Sequence, residues 1–94
     1  MPIELMLSSR VDISEDVLCQ ELQGEAVLLN LKTGVYFGLD SVGARVWRLL
    51  GERPVLSETI EALLAEYDVP KERCAQDLIA LVSELAEHGL VRLG

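Results

Sequence analysis

Histidine and aromatic residues are scarce in this 94-residue chain, which has one His, one Phe, one Trp and two Tyr. A lone histidine, His88, excludes a His-rich metal set and offers few partners for a nucleophile. Cys74 and His88 stand 14 residues apart on what reads as one helix, a separation of about 21 Å at the helical rise. Nothing in the spacing supports Cys19 with His88 either. The two cysteines belong to no CxxC pattern, so they read as two reduced core thiols. There is no Gly-rich phosphate loop. The expectation is therefore a chain that is not an enzyme, with no catalytic residues, no metal and no cofactor. Long apolar runs are also missing: none approaches the roughly 20 residues of a membrane helix. The opening MPIELMLSSR has no basic n-region, so no secretory signal, no membrane contact and a cytoplasmic location are expected.

Positive charge is the other shortage. Eight Lys and Arg face sixteen Asp and Glu, a net charge of −8. Between residues 58 and 88 there are eight acidic side chains and two basic ones. A DNA-reading helix needs Arg, Lys, Asn or Gln for base edges and cations for phosphates. Nucleic acid is excluded as a partner on charge.

The elements that are present are short and well punctuated. Val17–Leu22 reads as a first strand, residues 23–25 as a turn, and residues 26–31 as a second strand. Lys32-Thr33-Gly34 closes a tight hairpin into a third strand over residues 35–39, with Gly34 where positive φ is required. Asp40 or Ser41 can cap a first helix ended by Gly51. Ser57 can cap a second, with Ile60, Leu63, Leu64 and Tyr67 on one face. Asp68 can cap a third and longest helix, with Pro70 in its first turn. Gly89 suits its left-handed end and Leu90 the contact with Leu85 of a Schellman cap. The expected fold is α+β and winged-helix-like: a three-stranded antiparallel sheet followed by three helices. Residues 1–94 form one domain with a core over about 17–92.

Two features point toward function. The third strand lies at a sheet edge, and a free edge offers unpaired N–H and C=O groups to another chain. By alternation Val35, Phe37 and Leu39 share one face, and Tyr36 and Gly38 the other. Phe37 and Leu39 read first as plain core, whereas a glycine inside a strand marks a bulge or a close backbone approach. The third helix carries an apolar arc of about 160°, wider than the roughly 100° that one-sided packing needs. Ala75, Ile79 and Ala86 widen one flank, opposite Asp77 and Glu84. That flank either packs on the other helices or faces a shallow groove beside the sheet.

The stretches VLLNLKTGVYFGLDSVGARVWRLL and YDVPKERCAQDLIALVSELAEHGLV resemble the PqqD-like family of peptide-recognition proteins. They are most similar to its small stand-alone members in lasso-peptide biosynthesis. The resemblance implies a RiPP recognition element, a domain that binds the N-terminal leader of a ribosomally made precursor peptide by β-strand addition. It further implies delivery of that precursor to a separate cysteine-type leader peptidase. The peptide-binding residues expected on this reading are Val35, Tyr36, Phe37, Gly38 and Leu39 on the strand. On the helix they are Ala75, Leu78, Ile79 and Val82, as an apolar wall. The acidic groups Asp77, Glu84 and Glu87 form either a solvated coat or a lure for a basic leader segment; Arg45, Lys71 and Arg73 could meet acidic leader residues. A winged-helix-type protein–protein interaction or regulatory module is the alternative function.

Overall fold

A computed structural model describes residues 8–93. Among the described residues, five strands and three helices follow in the order β1 (Val11–Ile13), β2 (Val17–Leu22), β3 (Glu25–Asn30), β4 (Tyr36–Leu39), α1 (Ser41–Glu52), α2 (Leu56–Glu66), α3 (Lys71–Glu87) and β5 (Val91–Leu93). The sheet expected from sequence is present as an antiparallel meander in the order β2-β3-β4. A two-residue turn joins β2 to β3. Gln23 and Gly24 both take positive φ there, 53° and 83°, the primed-turn geometry whose twist matches a hairpin. Gly34, at φ 73°, closes the second hairpin, where its N–H donates to the Asn30 carbonyl at 2.7 Å.

Alternation along β3 places Ala26, Leu28 and Asn30 inward. Leu28 pairs with Phe37 and Ala26 with Leu39, so the inward row continues into β4. α1 lies against this face. Trp47, Leu49 and Leu50 of α1, Leu56 and Ile60 of α2, and Val82 and Leu85 of α3 are buried in one cluster with Ala26, Leu28 and Leu39. Burying a side chain of this class contributes about 1.5–3 kcal/mol, and this single cluster holds the domain together.

Two strands lie outside the expected set. β1 and β5 pair antiparallel, Val11 with Leu93 and Ile13 with Val91. Three residues each give too short a pattern to read from sequence. Val11 and Val91 are nonetheless buried, which is why the pair forms.

Three helix boundaries differ from the sequence reading. α1 runs past Gly51 to Glu52, and Pro54 stops it by ending the supply of donors. Ser57 does not cap α2: the helix starts at Leu56, whose N–H donates to the Ser9 carbonyl at 3.2 Å. Asp68 does not cap α3: Pro70 stands at the cap position and no side chain bonds the first turn. The expected cap at Asp40 is present, its carboxylate accepting the Gly43 N–H at 2.8 Å. At the far end of α3, Gly89 has φ 70°. Its N–H reaches the Ala86 carbonyl and the Leu90 N–H the Leu85 carbonyl, at 3.1 and 2.9 Å, the two bonds of a Schellman cap.

Candidate functional site

The sheet has two edges, and they differ. β4 borders a groove of about 610 Å³, and no residue of β2 lines it. The ladder settles which groups β4 turns outward. Asn30 N–H donates to the Val35 carbonyl at 3.0 Å, making this a hydrogen-bonded pair. Alternation then makes Leu28–Phe37 and Ala26–Leu39 bonded pairs, and Leu29–Tyr36 and Val27–Gly38 non-bonded ones. The backbone N–H and C=O of Tyr36 and Gly38 therefore point away from β3, along the open edge.

The groove beside this edge is built from all three helices. α1 contributes Val42, Gly43 and Val46; the end of α2 and its following loop contribute Leu63, Tyr67, Val69 and Pro70. α3 presents Arg73, Cys74, Asp77, Leu78, Leu81 and Glu84 as the opposite wall. Gly43 eases the close approach of α1 to β4: a Cβ there would meet the Leu39 side chain at 3.2 Å, and that side chain would have to give by a few tenths of an ångström. The floor is apolar and the rim polar. Arg73 and Asp77 form an exposed pair at 3.7 Å, and the Asp40 carboxylate is taken up by its capping bond. Burial pushes the Cys74 thiol pKa up, and the Asp77 charge adds to the shift.

Two contacts hold β4 at its distance from α3. The Phe37 ring meets the His88 ring edge-on, with centroids 5.1 Å apart. The Asn30 side chain spans from the β3–β4 turn to the His88 carbonyl. His88, the only histidine, is thus a packing and orienting residue, with Nδ1 2.9 Å from the Glu84 carbonyl oxygen.

The strand half of the expected site falls as follows. Val35 precedes β4 and is exposed; Tyr36 and Gly38 are exposed on the outer face. Phe37 and Leu39 point inward, Leu39 buried and Phe37 half-buried, and with Gly38 they line the groove. The helix half divides. Of Ala75, Leu78, Ile79 and Val82, only Leu78 lines the groove. Ala75 and Val82 are buried core, and Ile79 is half-buried outside the groove. Ala75 and Ala86 of the small-residue flank are taken up by packing in the core. The groove lies on the flank of Asp77, Leu81 and Glu84. A wall that faces solvent carries polar residues at its rim, and that mixture was the available signal. Nothing in the sequence pointed to Val42, Val46 or Tyr67, because their part depends on how α1 and α2 pack.

Comparison with known proteins places this geometry in context. The family model for PqqD, coenzyme PQQ synthesis protein D, matches residues 25–91. TbiB1, solved in complex with the TbiA(beta) leader peptide, superposes with a TM-score of 0.82 at 41% identity, over 86% of this chain and 94% of that one. A lasso peptide synthetase B1 complexed with its leader peptide superposes with a TM-score of 0.79 at 23% identity, over 88% and 98% of the two chains. The second likeness is one of fold. No curated protein sequence matches the chain.

Proposed function

The chain belongs to the PqqD family, and from that premise we propose that it binds the leader segment of a precursor peptide as a strand added to β4. The observation that carries this reading is the coincidence of an open strand edge with an apolar groove. Tyr36 and Gly38 turn backbone donors and acceptors outward, and the groove begins at the same strand. Backbone pairing supplies affinity with little demand on sequence, and the groove selects alternate side chains. Leu39, Val46, Leu78 and Leu81 receive the inward-facing residues of the leader. TbiB1, 41% identical over most of both chains, is solved with a leader peptide, which supports the same ligand class here.

On this reading the protein is an adaptor with no catalytic step. It hands the bound precursor to a separate cysteine-type leader peptidase in lasso-peptide maturation. Binding and cleavage are thereby divided between two proteins.

Titration calorimetry with synthetic TbiA(beta) leader peptide tests the binding step. Gly38→Pro is the informative variant. It deletes an outward N–H while leaving the β3–β4 ladder intact, and proline is tolerated at such edge positions. Phe37→Pro would instead break an internal ladder bond. The expected result is micromolar or tighter binding by the wild-type protein and at least a tenfold loss in Gly38→Pro with the melting temperature retained. Equal affinity in the two proteins would rule out strand addition at β4.

A further inference from the structure

The outer face of the three-stranded sheet is regular except at one place. Its first cross-strand row is Leu18, Leu29 and Tyr36; its second is Gln20, Val27 and Gly38. In the first row a ring stands at the open edge. In the second row the edge position has no side chain, and a Cβ built on Gly38 would find no heavy atom within 4 Å. Val27 is left 39% exposed and Tyr36 69% exposed. Gly38 has no positive φ, so neither backbone conformation nor crowding within this chain calls for glycine. The notch sits where an added strand would pair, because Gly38 turns its N–H and C=O outward.

We infer that the strand received by this edge carries a large, uncharged side chain, aromatic by preference, at the position paired with Gly38. That side chain lies over the glycine against Val27 and Tyr36. The inference rests on the strand-addition reading and adds to it a second subsite, on the face of the sheet opposite the groove. A residue paired with Gly38 directs its side chain to the face of Gly38, and its two neighbours direct theirs into the groove. A ring placed across from a strand glycine covers the bare backbone and recovers contact that the glycine forfeits. Tyr36 is the diagonal neighbour, roughly 7–8 Å away and within reach of an aromatic side chain. None of the six residues in the two rows is charged, so the surface favours a neutral ring or a long aliphatic group.

A rule of spacing follows. The outer-face residue stands an odd number of positions from any residue anchored in the groove. Two apolar anchors at even spacing would both lie in the groove and leave the notch empty.

A display library of random 12-residue peptides, selected against the full chain and against Gly38→Val, provides the test. Valine fills the notch, has room for its side chain, and suits a strand. The wild-type protein is expected to select an aromatic or leucine at odd spacing from the groove anchors. In a synthetic copy of a selected peptide, alanine at that position should weaken wild-type binding about tenfold, as one good aromatic contact would. The same change should cost less than twofold with Gly38→Val. Alanine at a groove anchor should weaken both proteins alike. Val27→Ser, which keeps the glycine and strips the floor, should repeat the loss of aromatic preference if the valine variant does not fold. A library that enriches no alternating peptide overturns strand addition itself, and this inference with it. Alternating peptides with no large residue at odd spacing, or one whose loss costs the same in both proteins, overturn the second subsite alone.

Discussion

The Asn30 side-chain amide donates to the His88 carbonyl at 2.8 Å, tying the β3–β4 turn to the end of α3 across 58 residues of chain. Its Oδ1 meanwhile accepts the N–H groups of Lys32 and Thr33, at 2.9 and 3.3 Å. One buried side chain thus shapes the turn and sets the separation of the groove's two walls. Asn30→Ala removes three hydrogen bonds and leaves the His88 carbonyl without this donor. The expected cost is about 2–4 kcal/mol, read as a lower urea midpoint at unchanged m-value. A loss under about 0.5 kcal/mol, the range of ordinary surface changes, would show that the turn and the helix are held by other contacts.

The groove wall can be assigned by comparing two positions on α3. Leu81 lines the groove and Ile79 does not. Leu81→Ser should weaken binding of the TbiA(beta) leader peptide more than about tenfold, the equivalent of one lost apolar anchor. Ile79→Ser should change it less than about twofold, within the range of surface substitutions. The reverse ranking would return the site to the flank of Ala75 and Val82.

Thiol labelling reports occupancy directly. Cys74 is buried in the groove wall and Cys19 is exposed on β2. Burial raises both thiol pKa values, and nearby Asp77 and Glu21 add to the rise at Cys74 and Cys19 respectively. Both stay protonated at neutral pH and react slowly, since the thiolate is the nucleophile. At alkaline pH, Cys19 should label first. Added leader should slow labelling of Cys74 and leave Cys19 unchanged; equal protection of both would place the peptide elsewhere.

The turn between β2 and β3 stores removable strain. Gln23 is the only described non-glycine residue with positive φ, at 53°, a conformation that asparagine tolerates better. Gln23→Asn should stabilise the fold by about 0.5–1 kcal/mol. Thermal melts with and without leader peptide would show the gain in both states, because the turn is remote from the β4 edge.

The Arg45–Glu66 pair joins α1 to α2 by two hydrogen bonds, of 2.8 and 2.7 Å. The Arg45 guanidinium holds the Glu66 carboxyl below its ordinary pKa, against an opposing effect of burial. A depressed folded-state pKa contributes stability that is complete above the ordinary glutamate value and is lost as pH falls through the folded value. The melting-temperature gap between wild type and Glu66→Gln should therefore be flat from neutrality to about pH 5 and close below about pH 4. A gap that widens toward acid would contradict the assignment.

The sequence by itself determined the elements whose signals are local. Positive-φ glycines at 34 and 89, the Asp40 cap and the alternation of β3 and β4 depend on a few neighbouring residues, and each stands where local chemistry puts it. Charge alone set the expectation against a nucleic-acid partner. The family wording of the hairpin and the helix after it pointed to the ligand class. Only the tertiary structure decided which side of α3 faces the groove, because a helical arc records that two faces are covered and not by what. The same holds for the β1–β5 pair, whose three-residue strands gain their meaning from burial between distant parts of the chain. It holds again for the outward turn of the Tyr36 and Gly38 backbones, which follows from a register that only pairing with β3 can set.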